Sequence, residues 1–227
     1  MDMIPRGLKA FYYKVMSIPM AANAWVYRKI FAPRGGKVRV HLGPGKRKYG
    51  KYLEGWFNVD ANLFTARIDV WADFTRGVPF RNATVDAFYS HHVVEHLPDQ
   101  ILAEHLRDLH RALKPGGVLR IGGPNGDMAL QKFLEGDLAW FPTEPDERRS
   151  TGGRLVNFLL CRGEHLTILT ESYFRELLEK AGFTRIFKSQ PKSTLFPDLY
   201  DEQVLGREYL EPSAEFSNTL MMEAQKT

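Results

Sequence analysis

From residue 37 onwards, short apolar runs alternate with segments in which apolar residues recur at helical spacing. The apolar runs predict strands at 37–42, 56–60, 66–73, 84–90, 117–121, 184–188 and 218–224. Helices are predicted at 100–113 and from Thr170 onwards. Strands that alternate with helices favour an α/β fold around a mostly parallel sheet with right-handed crossovers.

Residues 1–36 precede this alternation and are predicted to form a helical extension. Two stripes have the spacing of one helical face, and Pro19 interrupts the pattern between them; the stripes are Leu8, Phe11, Tyr12, Val15 and then Ala22, Trp25, Val26, Ile30. We expect both stripes to pack on the protein's own domain, which spans 37–227. Because basic residues stand beside the aromatic ones, peripheral contact with a membrane surface is the alternative.

Residues 122–165 are rich in glycine, proline and charge, and they contain Trp140-Phe141-Pro142. We expect an irregular insertion that forms a lid over a functional site. A second irregular stretch is expected between 190 and 215.

Composition and charge limit the locations and partners expected for the protein. The 227 residues are 44% apolar, and the single cysteine, Cys161, excludes an internal disulfide framework and favours a reducing, cytoplasmic location. No apolar run reaches the roughly 18 residues of a membrane span. The net charge is +4, yet residues 1–52 hold twelve Lys or Arg against Asp2 alone. This basic end indicates an anionic partner (a lipid surface, a phosphorylated substrate or nucleic acid) or a solvated basic face.

Glycines and acids fall where successive predicted strands end. Gly43-Pro44-Gly45, Asp60, Asp73 and Ser90–His92 would all lie along the carboxyl edge of the sheet, where open α/β sheets bind ligands. Glycines let a ligand approach the backbone. A carboxylate after the second strand can accept hydrogen bonds from ribose hydroxyls, and one after the third can accept from an adenine amino group. The pattern predicts a nucleoside site.

Two other nucleotide sites are disfavoured. The dinucleotide fingerprint needs glycine or alanine at its sixth position, where Lys48 stands, and no G-x-x-x-x-G-K-[ST] phosphate loop occurs.

At this point the chain resembles the class I S-adenosylmethionine-dependent methyltransferases, closest to small bacterial type-11-like members linked to cell-surface polysaccharide pathways. The matching stretches lie within 37–188 and are His-Leu-Gly-Pro-Gly45, Gly-Trp-Phe-Asn-Val-Asp60, Val-Pro-Phe80, Ser-His-His-Val-Val-Glu-His-Leu97, Arg-Ala-Leu-Lys-Pro-Gly-Gly117 and Glu-Lys-Ala-Gly-Phe183. The resemblance implies a Rossmann-like, doubly wound sheet of seven strands, the last antiparallel.

The same resemblance implies S-adenosylmethionine as cofactor and assigns its binding residues. Gly43, Pro44 and Gly45 would line its methionine part, Asp60 would hold the ribose, Asp73 and Phe74 the adenine, and Ser90 and His91 would lie beside the sulfonium.

The chain departs from the family pattern in two places. Many relatives have an acid where His41 stands, and Lys46-Arg47-Lys48 follows a shortened glycine turn. Three cations are unfavourable beside a cationic cofactor and suit an anionic acceptor better.

The segment His92-Val-Val-Glu-His96 fits two metal patterns. It matches the H-x-x-E-H zinc-protease motif, which requires a helix interior. It also resembles the metal-binding positions of ubiquinone-pathway O-methyltransferases, with His92 in place of a glutamate. We instead expect Glu95 and His96 to hold the loop to the next helix, and no metal.

The expected reaction is O-methylation of a sugar, a glycan precursor or another small acceptor. His165 is the first candidate for a general base and His92 the second, because imidazole titrates near neutrality. His105 and His110 are expected to be structural. The alternatives are a non-catalytic binding protein that keeps the fold, favoured by His41 and the basic turn, and a nucleic-acid methyltransferase or binder. The last is disfavoured, because Ser-His-His follows the fourth strand in place of an Asn/Asp-Pro-Pro-Tyr motif.

Overall fold

A computed structural model describes residues 6–45, 52–64, 66–208 and 217–227, and it contains one sheet flanked by helices. The strands are β1 (Arg39–Leu42), β2 (Phe57–Asp60), β3 (Val70–Trp71), β4 (Val85–His91), β5 (Leu113–Pro124), β6 (Arg185–Ser189) and β7 (Thr219–Gln225). Their order is β3-β2-β1-β4-β5-β7-β6. Strand β7 runs antiparallel to both β5 and β6, and the other described pairings are parallel. The expected doubly wound architecture is confirmed.

The helices are α1 (Arg6–Val26), α2 (Asp99–Ala112), α3 (Gly126–Leu134), α4 (Thr151–Leu160), α5 (Glu171–Lys180) and α6 (Glu202–Leu205). Helices α2 and α5 bury apolar side chains in the main core together with inward residues of the strands; they include Leu102, Leu106, Leu109, Phe174 and Leu178. Thr170 caps α5 by accepting a hydrogen bond from the Tyr173 amide. Because β1 to β5 are parallel, their carboxyl ends lie on one edge of the sheet.

The N-terminal extension differs from its prediction in two respects. Helix α1 continues through Pro19 and ends in a π-helical turn at Tyr27–Phe31. Contacts on both sides of the proline hold it: the Tyr12 hydroxyl donates to the Ala61 carbonyl (2.6 Å), and the Asn23 amide donates to the Trp71 carbonyl (2.6 Å). Tertiary anchoring thus offsets the lost helical hydrogen bond.

The two apolar stripes of this extension do not pack as expected. Most of their members are exposed, and only Tyr12 and Val26 are partly covered; the exposed ones are Leu8, Phe11, Val15, Ala22, Trp25 and Ile30. The helix instead packs through the neighbouring face, where Met20 is buried and Tyr27 lies edge-on to Phe80. Among the described helices, none has both the length and the apolar character to span a membrane.

The segment 122–165 is more regular than predicted. Its first residues extend β5 to Pro124, and α3 and α4 follow. The two helices share a small core of Ala129, Trp140, Phe141 and Phe158. The prediction of irregular structure failed because Asn125 and Ser150 cap the two helices, whose first turns accommodate Gly126, Gly152 and Gly153.

The turn expected at Lys114–Gly117 is incorporated in β5. It is held by the end of the chain, because the Gly116 amide donates to the Lys226 carbonyl and the Lys226 amide to the Gly117 carbonyl. Similarly, the loop expected at 190–215 contains the short helix α6.

A buried ionic cluster ties β5 to the C-terminal part of the chain. The Arg120 guanidinium is fully buried and donates to both carboxylate oxygens of Glu208 (2.7 and 2.6 Å) and to Glu223 (2.6 Å). Ser189 accepts a further hydrogen bond from it. Burial alone would lower the pKa of Arg120, but these hydrogen bonds and the two negative charges hold it above its usual value. The cluster fixes the position of the C-terminal part of the chain relative to β5. Hydrophobic periodicity could not predict it.

Glu208→Gln leaves Glu223 to balance the charge of Arg120, but the amide nitrogen of glutamine cannot accept the hydrogen bond that one carboxylate oxygen of Glu208 accepts. We expect the free energy of unfolding, measured by urea titration, to fall by about 3 kcal/mol, because a buried charge-assisted hydrogen bond is lost and a guanidinium N–H is left unsatisfied. The matched control is Glu176→Gln, whose ion pair with Lys180 is exposed and should contribute less than about 1 kcal/mol. Equal losses in the two variants would contradict this assignment.

His105 lies fully buried on α2, with its ring 5.5 Å from that of Phe74. Burial lowers the pKa of His105 from 6.5 to about 4. Between these values the unfolded chain binds more protons than the folded protein, so stability decreases as the pH falls through this window. This fits the expected structural role.

His105→Gln should therefore flatten the pH dependence of stability. We expect about 2 kcal/mol of the stability that the wild type loses between about pH 7 and about pH 5 to be retained by the variant. Urea unfolding at about pH 7 and about pH 5 measures the difference. Parallel losses in both proteins would show that His105 does not titrate in this range.

Candidate active site

In the turn after β1, the main chain rather than side chains lies at the carboxyl edge of the sheet. Gly43 and Gly45 have φ of +68° and +66°, the left-handed region that glycine tolerates best. A Cβ on Gly43 would lie 2.5 Å from a methyl of Val93. The Gly43 amide donates to the Val59 carbonyl, and Pro44 between the glycines is buried. Only glycine at position 43 permits this close turn beside the end of β4.

Asp60, the last residue of β2, reaches across to this turn. Its carboxylate accepts hydrogen bonds from the Gly45 amide (3.1 Å) and the Asn62 amide (2.8 Å). Burial raises the pKa of Asp60, although these amides act in the opposite direction. The predicted meeting of the first two strand ends is therefore present.

Asp73 and Phe74 follow β3 at the same edge. The Asp73 carboxylate accepts from the Thr75 amide and hydroxyl and lies 3.4 Å from the Arg76 guanidinium, so that it caps the turn Phe74–Arg76. The Phe74 ring is buried in the core. The contacts of both side chains are thus local, and their contact with adenine stays a prediction.

Tyr13 of α1 adds a residue that the sequence pattern did not single out. Burial raises the pKa of Tyr13 to about 12, and the negative charges of Asp60 and Asp73 contribute. Helix α1 runs beside the end of β2, because the Tyr12 hydroxyl donates to the Ala61 carbonyl, next to Asp60. The sequence pattern instead placed Phe11 and Tyr12, and not Tyr13, on the face expected to pack.

Ser90 and His91 end β4 next to the glycine turn. The Ser90 backbone pairs with Leu42, and its hydroxyl is buried without a hydrogen-bond partner among the described residues. His91 is buried, with its ring 4.5 Å from that of His92. A buried hydroxyl without a partner is costly unless a ligand or water satisfies it.

His92 occupies a strained position after β4. Its φ is +54°, uncommon for a residue other than glycine and often associated with functional sites. Its Nδ1 lies 3.2 Å from a carboxylate oxygen of Glu95, and its Nε2 lies 3.0 Å from the Thr219 hydroxyl. Both ring nitrogens are therefore engaged.

Glu95 is buried at the centre of a histidine group. Burial acts to raise its pKa, but the hydrogen bond with His92 and the charges of His92, His96 and His165 together hold the pKa below its usual value. Its other carboxylate oxygen has no hydrogen-bond partner among the described residues.

The structure brings His165 to this group from 70 residues downstream. Its Nδ1 lies 3.1 Å from the Leu159 carbonyl, and its ring centroid lies 5.1 Å from that of His96. Burial lowers the pKa of His165. Ligand atoms of Glu95, His96 and His165 lie within 4.8 Å of one another. The two candidate bases, His165 and His92, therefore belong to one cluster, which we call the histidine cluster (His92, Glu95, His96, His165).

Further contacts of Glu95 and His96 test the expectation that these residues hold the loop after β4 in place. The Glu95 carbonyl accepts from the amides of Leu166 and Thr167, and His96 Nδ1 lies 2.8 Å from the Glu164 carbonyl. These contacts join the loop after β4 to the segment before α5. Val94–His96 is a single 3-10 turn. The zinc-protease interpretation, which requires a helix interior, is therefore wrong.

The first departure from the family pattern, His41, lies within the described residues. His41 is buried and bonds through Nδ1 to the Asn58 side chain (3.0 Å), with its ring 5.3 Å from that of Tyr89. Lys46-Arg47-Lys48 lies outside the described residues.

The residues at this edge fit S-adenosylmethionine chemically. A glycine turn of fixed backbone, a partly buried carboxylate on Asp60 and the unsatisfied Ser90 hydroxyl offer acceptors for hydroxyl and amino donors and space for close approach.

Comparisons with known proteins agree with this geometry. Residues 58–121 match the family model of a methyltransferase domain. The chain is similar to a S-adenosylmethionine-dependent methyltransferase from Thermotoga maritima (12% identity, 96% of this chain and 95% of that chain, TM-score 0.51). It is also similar to one from Archaeoglobus fulgidus (16% identity, 95% and 100%, TM-score 0.51). No match was found among curated proteins. The fold is thus that of the S-adenosylmethionine-dependent methyltransferases.

Asp60→Asn tests the cofactor site, because it keeps the size and one acceptor oxygen but removes the charge. We expect the Kd for S-adenosylhomocysteine, measured by calorimetry, to rise by about 10- to 100-fold. The control is Asp198→Asn, an exposed carboxylate on the loop before α6, which should leave the Kd unchanged. Undiminished binding by Asp60→Asn would argue against the assignment.

Proposed function

We propose that this protein is an S-adenosylmethionine-dependent methyltransferase that methylates an oxygen of a small acceptor, such as a sugar or glycan precursor. The observation that carries the proposal is the contact between the Gly45 amide and the Asp60 carboxylate, at the carboxyl edge of a methyltransferase fold. This contact joins two features: a turn whose backbone a ligand can approach, and a carboxylate that can accept hydrogen bonds from ribose hydroxyls.

The proposed cofactor residues divide the cleft along the strand ends. Gly43, Pro44 and Gly45 would border the methionine part, Asp60 would accept from the ribose, and Ser90 and His91 would border the reacting end. Asp73 and Phe74 would lie towards the adenine. S-adenosylmethionine, when bound, supplies a methyl group already activated on a sulfonium. The protein's main contribution is then alignment of the acceptor oxygen with that methyl.

The histidine cluster supplies the proposed base. If the Nδ1 of His165 carries the proton donated to the Leu159 carbonyl, its Nε2 holds the lone pair that can take a proton from an acceptor hydroxyl. Since burial lowers its pKa, the ring is neutral and competent at neutral pH. Glu95 then favours the protonated ring electrostatically once the proton has moved. His92 is the second candidate, but both of its nitrogens are already engaged.

The acceptor class rests on resemblance to family members and on the basic N-terminal end. An oxygen acceptor is favoured over a nucleobase because Ser90-His91-His92 stands at the end of β4, in place of an Asn/Asp-Pro-Pro-Tyr motif. Helices α3 and α4, whose connections adjoin His165, are proposed to cover the acceptor.

His165→Gln should lower kcat by about 10²- to 10⁴-fold, while the Kd for S-adenosylhomocysteine stays unchanged, because only proton removal is affected. In the wild type, kcat should rise with pH through a pKa below the usual histidine value, and this acid limb should be lost in the variant. Formation of S-adenosylhomocysteine with labelled cofactor and fractionated cell extract measures kcat and its pH dependence, and calorimetry measures the Kd.

His110→Gln is the matched control, because His110 lies on α2 against Phe183 and outside the histidine cluster. Unchanged kcat in His165→Gln would exclude it as the base. Cofactor binding without transfer to any fraction would instead favour the non-catalytic alternative.

A further inference from the structure

Helix α1 presents a continuous apolar stripe to the outside. Its members recur every three or four residues and cover about 100° of the helix, as in amphipathic surface helices; they are Leu8, Phe11, Val15, Ile18, Ala22 and Trp25. Ile18 is 79% exposed and Phe11 62% exposed. Ile30 and Phe31 extend the stripe at the end of the helix, where they too are exposed. We call this set the outer stripe.

A loop of the sheet domain continues the same surface. Phe64, 74% exposed, lies edge-on to Tyr12 with ring centroids 5.8 Å apart, and Leu63 beside it is also exposed. A contiguous exposed apolar surface of this kind marks an interaction site, whereas single exposed apolar residues do not.

The charges around the outer stripe have one sign. Lys14 is exposed and lies one helical turn from Phe11 and Ile18, and Lys29 is exposed one turn after Trp25. Between Asp2 and Glu54 the sequence contains no acidic residue. A partner of this face must therefore offer apolar groups to the outer stripe and negative charges beside them.

We infer that the outer stripe docks on the surface of an anionic lipid bilayer, with α1 lying in the plane of the interface. Such a surface offers acyl chains to the stripe and phosphate headgroups to Lys14 and Lys29. A second copy of the chain fits less well, because two such helices would bring cations together without an acid between them. Nucleic acid would leave the aliphatic side chains unused.

Docking through this face leaves the opposite face of α1 on the candidate active site. Met20 is buried on the face of α1 opposite the exposed outer stripe, and the Tyr12 hydroxyl of the same helix donates to the Ala61 carbonyl, next to Asp60. If the proposed function holds, the surface would bring the cleft close to acceptors carried by lipid. The docking itself does not depend on methyl transfer.

The test is co-sedimentation with vesicles of phosphatidylcholine mixed with phosphatidylglycerol, compared with phosphatidylcholine alone. The wild type should bind the anionic vesicles more tightly, and added salt should weaken the binding. The double variant Phe11→Ser/Ile18→Ser should lose at least about tenfold in partitioning. Lys14→Gln should lose about fivefold at low salt.

Leu195→Ser is the matched control, because Leu195 is 59% exposed and lies beside β7, far along the sheet from α1. It should bind vesicles within about twofold of the wild type. Calorimetry with S-adenosylhomocysteine on the same proteins separates this inference from the proposed function. Absence of vesicle binding by the wild type, or equal losses in the control, would overturn the inference. So would a dimer that Ile18→Ser converts to a monomer without any vesicle binding.

Discussion

A carboxylate at the end of one strand holds the backbone of the turn after its neighbour, and the candidate site depends on this contact. Asp60 can reach the Gly45 amide because β1 and β2 are parallel neighbours whose carboxyl ends coincide. Gly43 fits beside Val93 because it has no Cβ. A side chain at Gly43 would collide with Val93, and an antiparallel β2 would place Asp60 at the opposite edge of the sheet.

The position of α1 gives this edge a second boundary. One face of the helix buries Met20 and anchors Tyr12 to the Ala61 carbonyl, next to Asp60, and the other presents the outer stripe. The apolar residues of both faces cannot be buried on the same domain. In the two proposals, the helix would border the cofactor site with one face and meet a lipid surface with the other, which would couple the location of the protein to the acceptors that reach its site.

The sequence predicted the seven described strands because each contains a short run of apolar residues, although β3 is shorter (Val70–Trp71) and β5 longer (Leu113–Pro124) than expected. The choice of Gly43, Asp60 and Ser90 followed from parallel topology alone. The helical faces of α1 were mispredicted, because apolar spacing does not show that the Tyr12 hydroxyl donates to the Ala61 carbonyl and accepts from the Trp71 indole, whereas Phe11 makes no such bond and stays exposed.

Long-range side-chain pairing escaped prediction for a related reason. Nothing local marks Arg120 and Glu208 as partners 88 residues apart, or places His165 beside His96. His165 was nevertheless selected from resemblance and from imidazole chemistry. Hydrogen–deuterium exchange with S-adenosylhomocysteine tests the central claim most directly. We predict slower exchange of the Gly43, Gly45 and Asn62 amides on ligand addition, with β6 unchanged. Protection confined to other segments, or none at saturating ligand, would contradict a nucleoside site at this edge.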